Sequence, residues 1–287
     1  MAESLPQYAT LTTRNHIVDD GATLLSVTSQ QSLFTRDNLL SPLRSKRVRS
    51  SSSSVNWQLV GQFATPTLPT ILSLIDSNLA SAKAVTWELA DDQAMTSNKL
   101  TWVFTTYAQD WTPKTRTGRH ILRWYPGTPD VTVGAVSARS FFRLTFAANS
   151  TIDSDGDGVA DSYFELGNLF VGSYVRLPVN LGFDREIVDP SELSESDGGA
   201  IYPDRRPSVH ELSSEAPLMN DASSIAMLRA LDDAGTTRHC LLDLWGWATD
   251  ASKKADSCYY GRVDRVRQTR FVQMFDRVSH TFIEARA

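Results

Sequence analysis

Cysteine, lysine and histidine are all scarce in this chain of 287 residues. Two cysteines, Cys240 and Cys258, cannot build a disulfide framework, and no CxxC or Cys/His cluster offers zinc its ligands. They read as reduced thiols of a chain folded in a cytoplasm. The five histidines, His16, His120, His210, His239 and His280, show no metal-binding spacing. With no GxSxG either, the signature of a nucleophilic hydrolase is missing. Neither GxxxxGK nor GxGxxG occurs, so nucleotide phosphates have no glycine-rich cradle. No apolar run approaches the roughly 18 residues of a membrane span. The N-terminal MAESLPQYATLTT has neither the basic start nor the apolar centre of a signal peptide. The expectation is a chain that is neither secreted by the usual route nor inserted in a membrane. A net charge of −5 argues against a general nucleic-acid binder, whose affinity rests on surplus basic residues.

What is present is the composition of a folded protein: 41% hydrophobic and 21% charged residues, enough apolar material for one large domain or two ordinary ones. Only six of the 28 basic residues are lysine, the other 22 being arginine, and there are seven tryptophans. Arginine and aromatics are enriched at protein interfaces and lysine is depleted. GC-rich coding produces the same bias, so both explanations stand.

From residue 8 to about 182 the chain alternates short β-type runs with turn signals. WQLVGQF (57–63), TILSLIDS (70–77), AVTWELAD (84–91), SFFRLTFA (140–147), YFELGNLFVG (163–172) and YVRLPV (174–179) are rich in β-branched and aromatic residues. In AVTWELA, Val85, Trp87 and Leu89 share one face and Thr86 and Glu88 the other, the pattern of half-buried antiparallel strands. Residues 1–182 are therefore expected to form an antiparallel, jelly-roll-like β-sandwich. The basic stretch RSKRVRSSSSS (44–54) reads as a solvated loop within it. Residues 183–217, rich in Pro, Gly and acid, read as a linker or crossing segment with one or two short strands. Residues 218–287 read as a small α+β domain. Its helix is SSIAMLRALDDAG (223–235), with Ile225, Leu228 and Leu231 in one row, Asn220 or Ser223 at its start and Gly235 at its end. The strand-like runs HCLLDLWGW (239–247), SCYYGRVDRV (257–266), TRFVQMFDRV (269–278) and HTFIEARA (280–287) follow it.

The sharpest motif is DSDGDGVAD (153–161). Asp153, Asp155 and Asp157 alternate, Gly158 permits a tight turn and Asp161 takes the ninth place, an arrangement whose oxygens can converge on Ca²⁺. Phe164 stands where a closing Glu belongs and Glu165 comes one place late. A structural Ca²⁺ site and a polar hairpin tip are both consistent with it, and no other cofactor is implied. Aromatics cluster in TWVFTTYAQDW (101–111) and RWY (123–125), making Trp102, Trp111 and Trp124 candidate glycan-binding residues; core packing is the commoner use of such rings. Paired carboxylates of a glycosidase stay open, because their separation in space decides that chemistry. No catalytic constellation stands out, and the chain is not expected to be an enzyme.

Six phrases resemble tailed-bacteriophage virion structural proteins of the tail tip, baseplate or distal tail. They are NLLSPLRSKRVRS (38–50), TILSLIDSNLASAKAVTWELADD (70–92), FFRLTF (141–146), YFELGNLFVGSYVRLP (163–178), YYGRVDRV (259–266) and FIEARA (282–287). Asn78 falls where such proteins place the Asn of a His-Asn-Leu phrase, with Ser77 replacing the His. The resemblance implies a galactose-binding-like jelly roll in a virion tail protein. Its partners would be the tail tube, hub or fibre, and it would form a homo-oligomeric ring, trimer or hexamer, in the phage tail. The alternative it leaves open is a carbohydrate-binding module that recognises the host surface.

Overall fold

The computed structural model describes residues 9–43, 45–107, 121–126, 130–131, 136–153, 157–177, 183–189, 191–195, 201–204, 209–215, 219–245, 254, 257–271 and 275–285. The chain is mainly β, its strands pair antiparallel, and it divides into two compact units. Residues 14–174 with 248–258 form a sandwich unit, and residues 1–13, 175–247 and 259–286 form a sheet–helix unit. Strands are numbered along the chain.

In the sandwich unit a six-stranded sheet runs in the order β2 (Thr23–Val27), β4 (Trp57–Thr67), β10 (Arg139–Phe146), β6 (Ala84–Ala90), β7 (Leu100–Thr105) and β9 (Asp130–Val131). A three-stranded sheet runs β12 (Asn168–Gly172), β5 (Ile71–Ile75) and β8 (Ile121–Trp124). The inward rows of both sheets share one core. Trp57, Leu59, Val85, Trp87, Phe142, Leu144 and Phe146 from the larger sheet meet Leu72, Leu74, Leu122, Leu169 and Val171 from the smaller. Period-two alternation produces those rows, since successive strand side chains point to opposite faces. Gly61 interrupts the inward row of β4 for a reason of space: a Cβ there would stand 2.2 Å from the Phe142 ring. Every residue of β5 is buried, so its outer face is covered as well. On that outer side Arg123 of β8 donates to the Lys254 carbonyl and to Ser257 Oγ of the same unit, each at 2.6 Å.

A two-stranded pair, β3 (Val48–Arg49) with β11 (Glu165–Leu166), occupies the basic stretch expected to be a solvated loop. Val48 and Ser50 are buried there. The guanidiniums of Arg47 and Arg49 both bond the carboxylate of Glu165, whose side chain has no exposure. The arginines lie in this phrase to neutralise a buried acid 118 and 116 residues away, a partnership invisible to local composition.

The sheet–helix unit corrects the expected division of the chain. Its sheet is ordered β13 (Val175–Leu177), β1 (Ala9–Thr12), β19 (Cys240–Asp243), β20 (Cys258–Phe271), β21 (Phe275–Glu284), β17 (Val209–Glu215) and β14 (Phe183–Val188). The short β18 (Met219–Asn220) also pairs with β21. Residues 9–12, expected in the sandwich, lie between β13 and β19 here. The 183–217 segment holds more than the one or two short strands expected of a linker: it supplies β14 and β17, and the separate hairpin of β15 (Glu192–Glu195) with β16 (Ile201–Asp204). Charged residues there face outward on an antiparallel sheet, which lowers hydrophobicity without abolishing strands.

Helix α1 (Asp221–Ala234) lies close to its expected span. Its buried row is Met227, Leu231 and Ala234, whereas Ile225 is 45% exposed. The i, i+4, i+7 spacing follows the 3.6-residue period more closely than the expected row at i, i+3, i+6. Gly235, at φ +56°, ends the helix as expected, its N–H donating to the Leu231 carbonyl at 3.1 Å.

Candidate functional site

Edge strands of the sandwich carry its half-buried aromatics. Leu122 and Trp124 of β8 lie in the inward row opposite Leu74 and Leu72. Trp124 ends the strand and only partly reaches the core. Its ring stacks on Phe104 of β7, with centroids 5.2 Å apart and planes 12° from parallel. Its indole Nε1 donates to the Thr105 carbonyl at 3.2 Å. Both rings are half-buried, so the pair bridges the two sheets at their margin and keeps part of its aromatic surface in solvent.

The next residue is held as firmly. Tyr125 makes an edge-to-face contact with Tyr174 at 5.2 Å. Tyr107 ties the end of β7 to β8. Its hydroxyl donates to the Ile121 carbonyl at 3.1 Å and accepts from the Arg123 backbone N–H at 3.0 Å and from Arg123 Nη1 at 3.1 Å. Burial pushes its pKa up to about 12, against the opposing charge of Arg123, so the phenol stays neutral and remains a donor. Exposed aromatic rings fixed by hydrogen bonds present a flat apolar surface beside polar groups.

Of the three tryptophans read as glycan candidates, Trp124 is half-buried at the margin of the sandwich. Trp102 faces inward opposite Trp87 and is 7% exposed, which removes it as a contact residue. Its alternation with Val103, 67% exposed, carries that information. Trp111 lies outside the described residues. Phe104 and Tyr125 belong to the aromatic phrases but were not singled out; their accessibility depends on where two sheets end.

The described residues of the acidic motif bond one another and Asn78. The Asp153 carboxylate accepts the backbone N–H groups of Asp157 at 3.2 Å and Gly158 at 2.7 Å, and Asp157 Oδ1 accepts that of Val159 at 2.8 Å. Asp161 is buried, with Oδ2 accepting from Asn78 Nδ2 at 2.6 Å. Asp155 lies outside the described residues. No three metal-ligating side chains converge among the described residues.

Asn78 instead organises this region. Its side chain also donates to the Tyr163 carbonyl at 2.9 Å and accepts the Glu165 N–H at 2.7 Å, and its backbone carbonyl accepts Ile152 N–H at 3.0 Å. Asp76, at φ +55°, turns the chain after β5 to bring it there.

In the sheet–helix unit, His210 bonds Glu284 through Nδ1 at 2.7 Å and Arg185 through Nε2, also at 2.7 Å. Because arginine only donates, Nε2 accepts and the ring proton sits on Nδ1 facing Glu284. The nitrogen that would take a proton from a nucleophile is already occupied, so this is not the geometry of a hydrolytic triad. Ser214 contacts the ring of His280, and both are buried. Burial lowers the His280 pKa to about 4. A groove of about 480 Å³ runs between α1 and β20, with Leu228, Leu231, Val263 and Val266 among its walls.

No family model matches the chain, and no curated protein matches it. Solved structures do, at low identity. A family 32 carbohydrate-binding module from a family 31 glycoside hydrolase of Clostridium perfringens is 13% identical, with 56% of this chain and 98% of that chain covered at a TM-score of 0.37. The family 32 module of C. perfringens NanJ, in complex with galactose, is 10% identical with the same coverages and TM-score. A chain of reduced XRCC1 bound to the DNA polymerase β catalytic domain is 14% identical, with 53% and 95% covered and a TM-score of 0.36. These comparisons lend the expected phage-tail identity no support.

Proposed function

We propose that the chain binds carbohydrate, with Trp124 and Phe104 as the surface against which a sugar ring lies. The observation that carries this reading is the stacked, half-exposed pair at the margin of the sandwich, fixed in orientation by the indole hydrogen bond to Thr105. A pyranose has an apolar face of C–H groups that matches such a ring, while its hydroxyls need donors and acceptors around it. Rings already held in place lose little conformational freedom on binding, which favours recognition by a small contact area.

The test is a broad glycan array with the intact chain, followed by calorimetry on any hit; galactose and chitosan oligosaccharides, the sugars of solved modules, are the first soluble probes. The expected result is a saturable ligand whose affinity falls at least about tenfold, 1.4 kcal/mol, in Trp124→Ala. Trp124→Phe, which keeps an aromatic face, is expected to retain part of it. A silent array at millimolar sugar, or a ligand bound equally well by Trp124→Ala, overturns the reading.

A further inference from the structure

The strand registers of the sheet–helix unit place charges of opposite sign at opposite sides of one exposed sheet face. On β20, Arg262 pairs with Ile283, Arg265 with Thr281 and Arg267 with Ser279. All three arginines are exposed. The register shifts between Val263 and Arg265, making Asp264 an extra residue that keeps Arg265 and Arg267 on the same face as Arg262. The other face carries Val278, His280 and Phe282, all buried.

Across β21 the same outer face continues onto β17, where Glu211 pairs with Ile283 and Ser213 with Thr281. It ends on β14, where Glu186 pairs with Glu211 and Asp184 with Ser213. Glu186 and Asp184 are exposed. The face therefore runs from an arginine column, through short half-buried side chains on β21, to an acidic column. At about 4.8 Å per strand the β20 and β14 columns lie roughly 14 Å apart, beyond a Debye length at physiological salt. Within one chain they barely attract each other.

We infer that this face docks against a second copy of the chain, the two sheets related by a twofold axis that runs parallel to the strands between β21 and β17. That operation carries the β20 arginines of each copy over the β14 carboxylates of the other, so both contacts are attractive. A twofold axis across the strands sets β20 on β20 and repels. The short Ser279, Thr281 and Ser213 at the centre leave room for two sheets to approach to about 10 Å. Four strands of about seven residues cover roughly 440 Å² of sheet per copy, so about 900 Å² in all. That size belongs to weak, reversible association.

Sedimentation equilibrium of the full chain in low and high salt tests this. The expected result is a dimer at tens of micromolar protein in about 50 mM salt that dissociates in about 500 mM salt. The double variants R265E/R267E and D184R/E186R are each expected to be monomeric, because each sets columns of like sign over one another across the twofold axis. Mixed together they are expected to form a dimer tighter than the unaltered chain. A circular-dichroism spectrum matching that of the unaltered chain establishes that each variant is folded. An unaltered chain that stays monomeric at low salt, a dimer indifferent to the charge reversals, or a mixture that fails to associate overturns the inference. So does a larger oligomer, which this axis cannot generate.

Discussion

The two units bury their interiors differently. The sandwich unit fills its core with large rings: Trp57 stacks on Phe146 and Phe164 with centroids 5.3 and 5.7 Å apart, and Trp87 stacks on Phe142 at 5.4 Å. Around Asn78 and Glu165 its buried acids are bonded, Asp161 by Asn78 and Glu165 by the Asn78 side chain, Arg47 and Arg49. The sheet–helix unit packs Tyr259, Phe282 and aliphatic residues with the small Ala9, Ala234 and Cys240, and no tryptophan is in its core among the described residues. It also buries His280, whose pKa is held far below its ordinary value. Charge in the sandwich is paired; in the sheet–helix unit a titratable ring is kept neutral. Acid should therefore weaken the second unit in a pH range where the first is unaffected.

The largest expected effect lies in the sandwich. Glu165→Ala leaves Arg47 and Arg49 facing each other with their shared anion gone, and removing one partner of a buried ion pair costs about 3 kcal/mol or more. Urea denaturation at neutral pH measures it. A loss below 1 kcal/mol shows that the arginines find water instead, and the contrast between the units fails on the sandwich side.

His280 gives the next effect. Its folded pKa of about 4 lies below the 6.5 of the free side chain, so between those values the unfolded chain binds a proton that the folded chain refuses. Stability is full above about pH 6.5 and falls as the pH drops toward 4, by on the order of 3 kcal/mol. His280→Gln is expected to flatten that part of the stability–pH curve. An unchanged curve assigns the acid sensitivity to another group.

Glu88 gives the smallest. Burial raises its pKa, but hydrogen bonds from Arg143 and Lys99 outweigh that and leave it lowered. A lowered carboxyl pKa stabilises above the unfolded value near 4.5 and loses that contribution as pH falls below it. Partial solvent access keeps the effect under about 1 kcal/mol. Glu88→Gln should blunt the acid limb below pH 4.5 and leave the range governed by His280 untouched. If the range between pH 4.5 and 6.5 also changes, the two units are not separable in this way.

Much of the fold was legible in the residues. The alternation of Val85, Trp87 and Leu89 is the inward row of β6, and the β-type runs at 57–63, 70–77 and 140–147 are β4, β5 and β10. The runs at 239–247 and 257–266 correspond to β19 and β20, the run at 280–287 to β21, and the run at 269–278 straddles the end of β20 at Phe271 and the start of β21 at Phe275. The site was less legible. Aromatic phrases marked Trp102 and Trp124 equally, and only the facing of two sheets buries one and leaves the other at a margin. Asp161 fits the spacing of a cation loop, yet its carboxylate is taken by Asn78, 83 residues away.

By itself, then, the sequence determined where most strands of the sandwich and the helix lie and that the chain is mainly antiparallel β. Those properties follow from side-chain periodicity over a few neighbours. The tertiary structure decided that Ala9–Thr12 joins Val175–Leu177 and Cys240–Asp243, that Arg47 and Arg49 meet Glu165, and that arginines and carboxylates occupy opposite sides of one sheet face. Each is a pairing between distant positions, and local periodicity carries no information about which strands become neighbours.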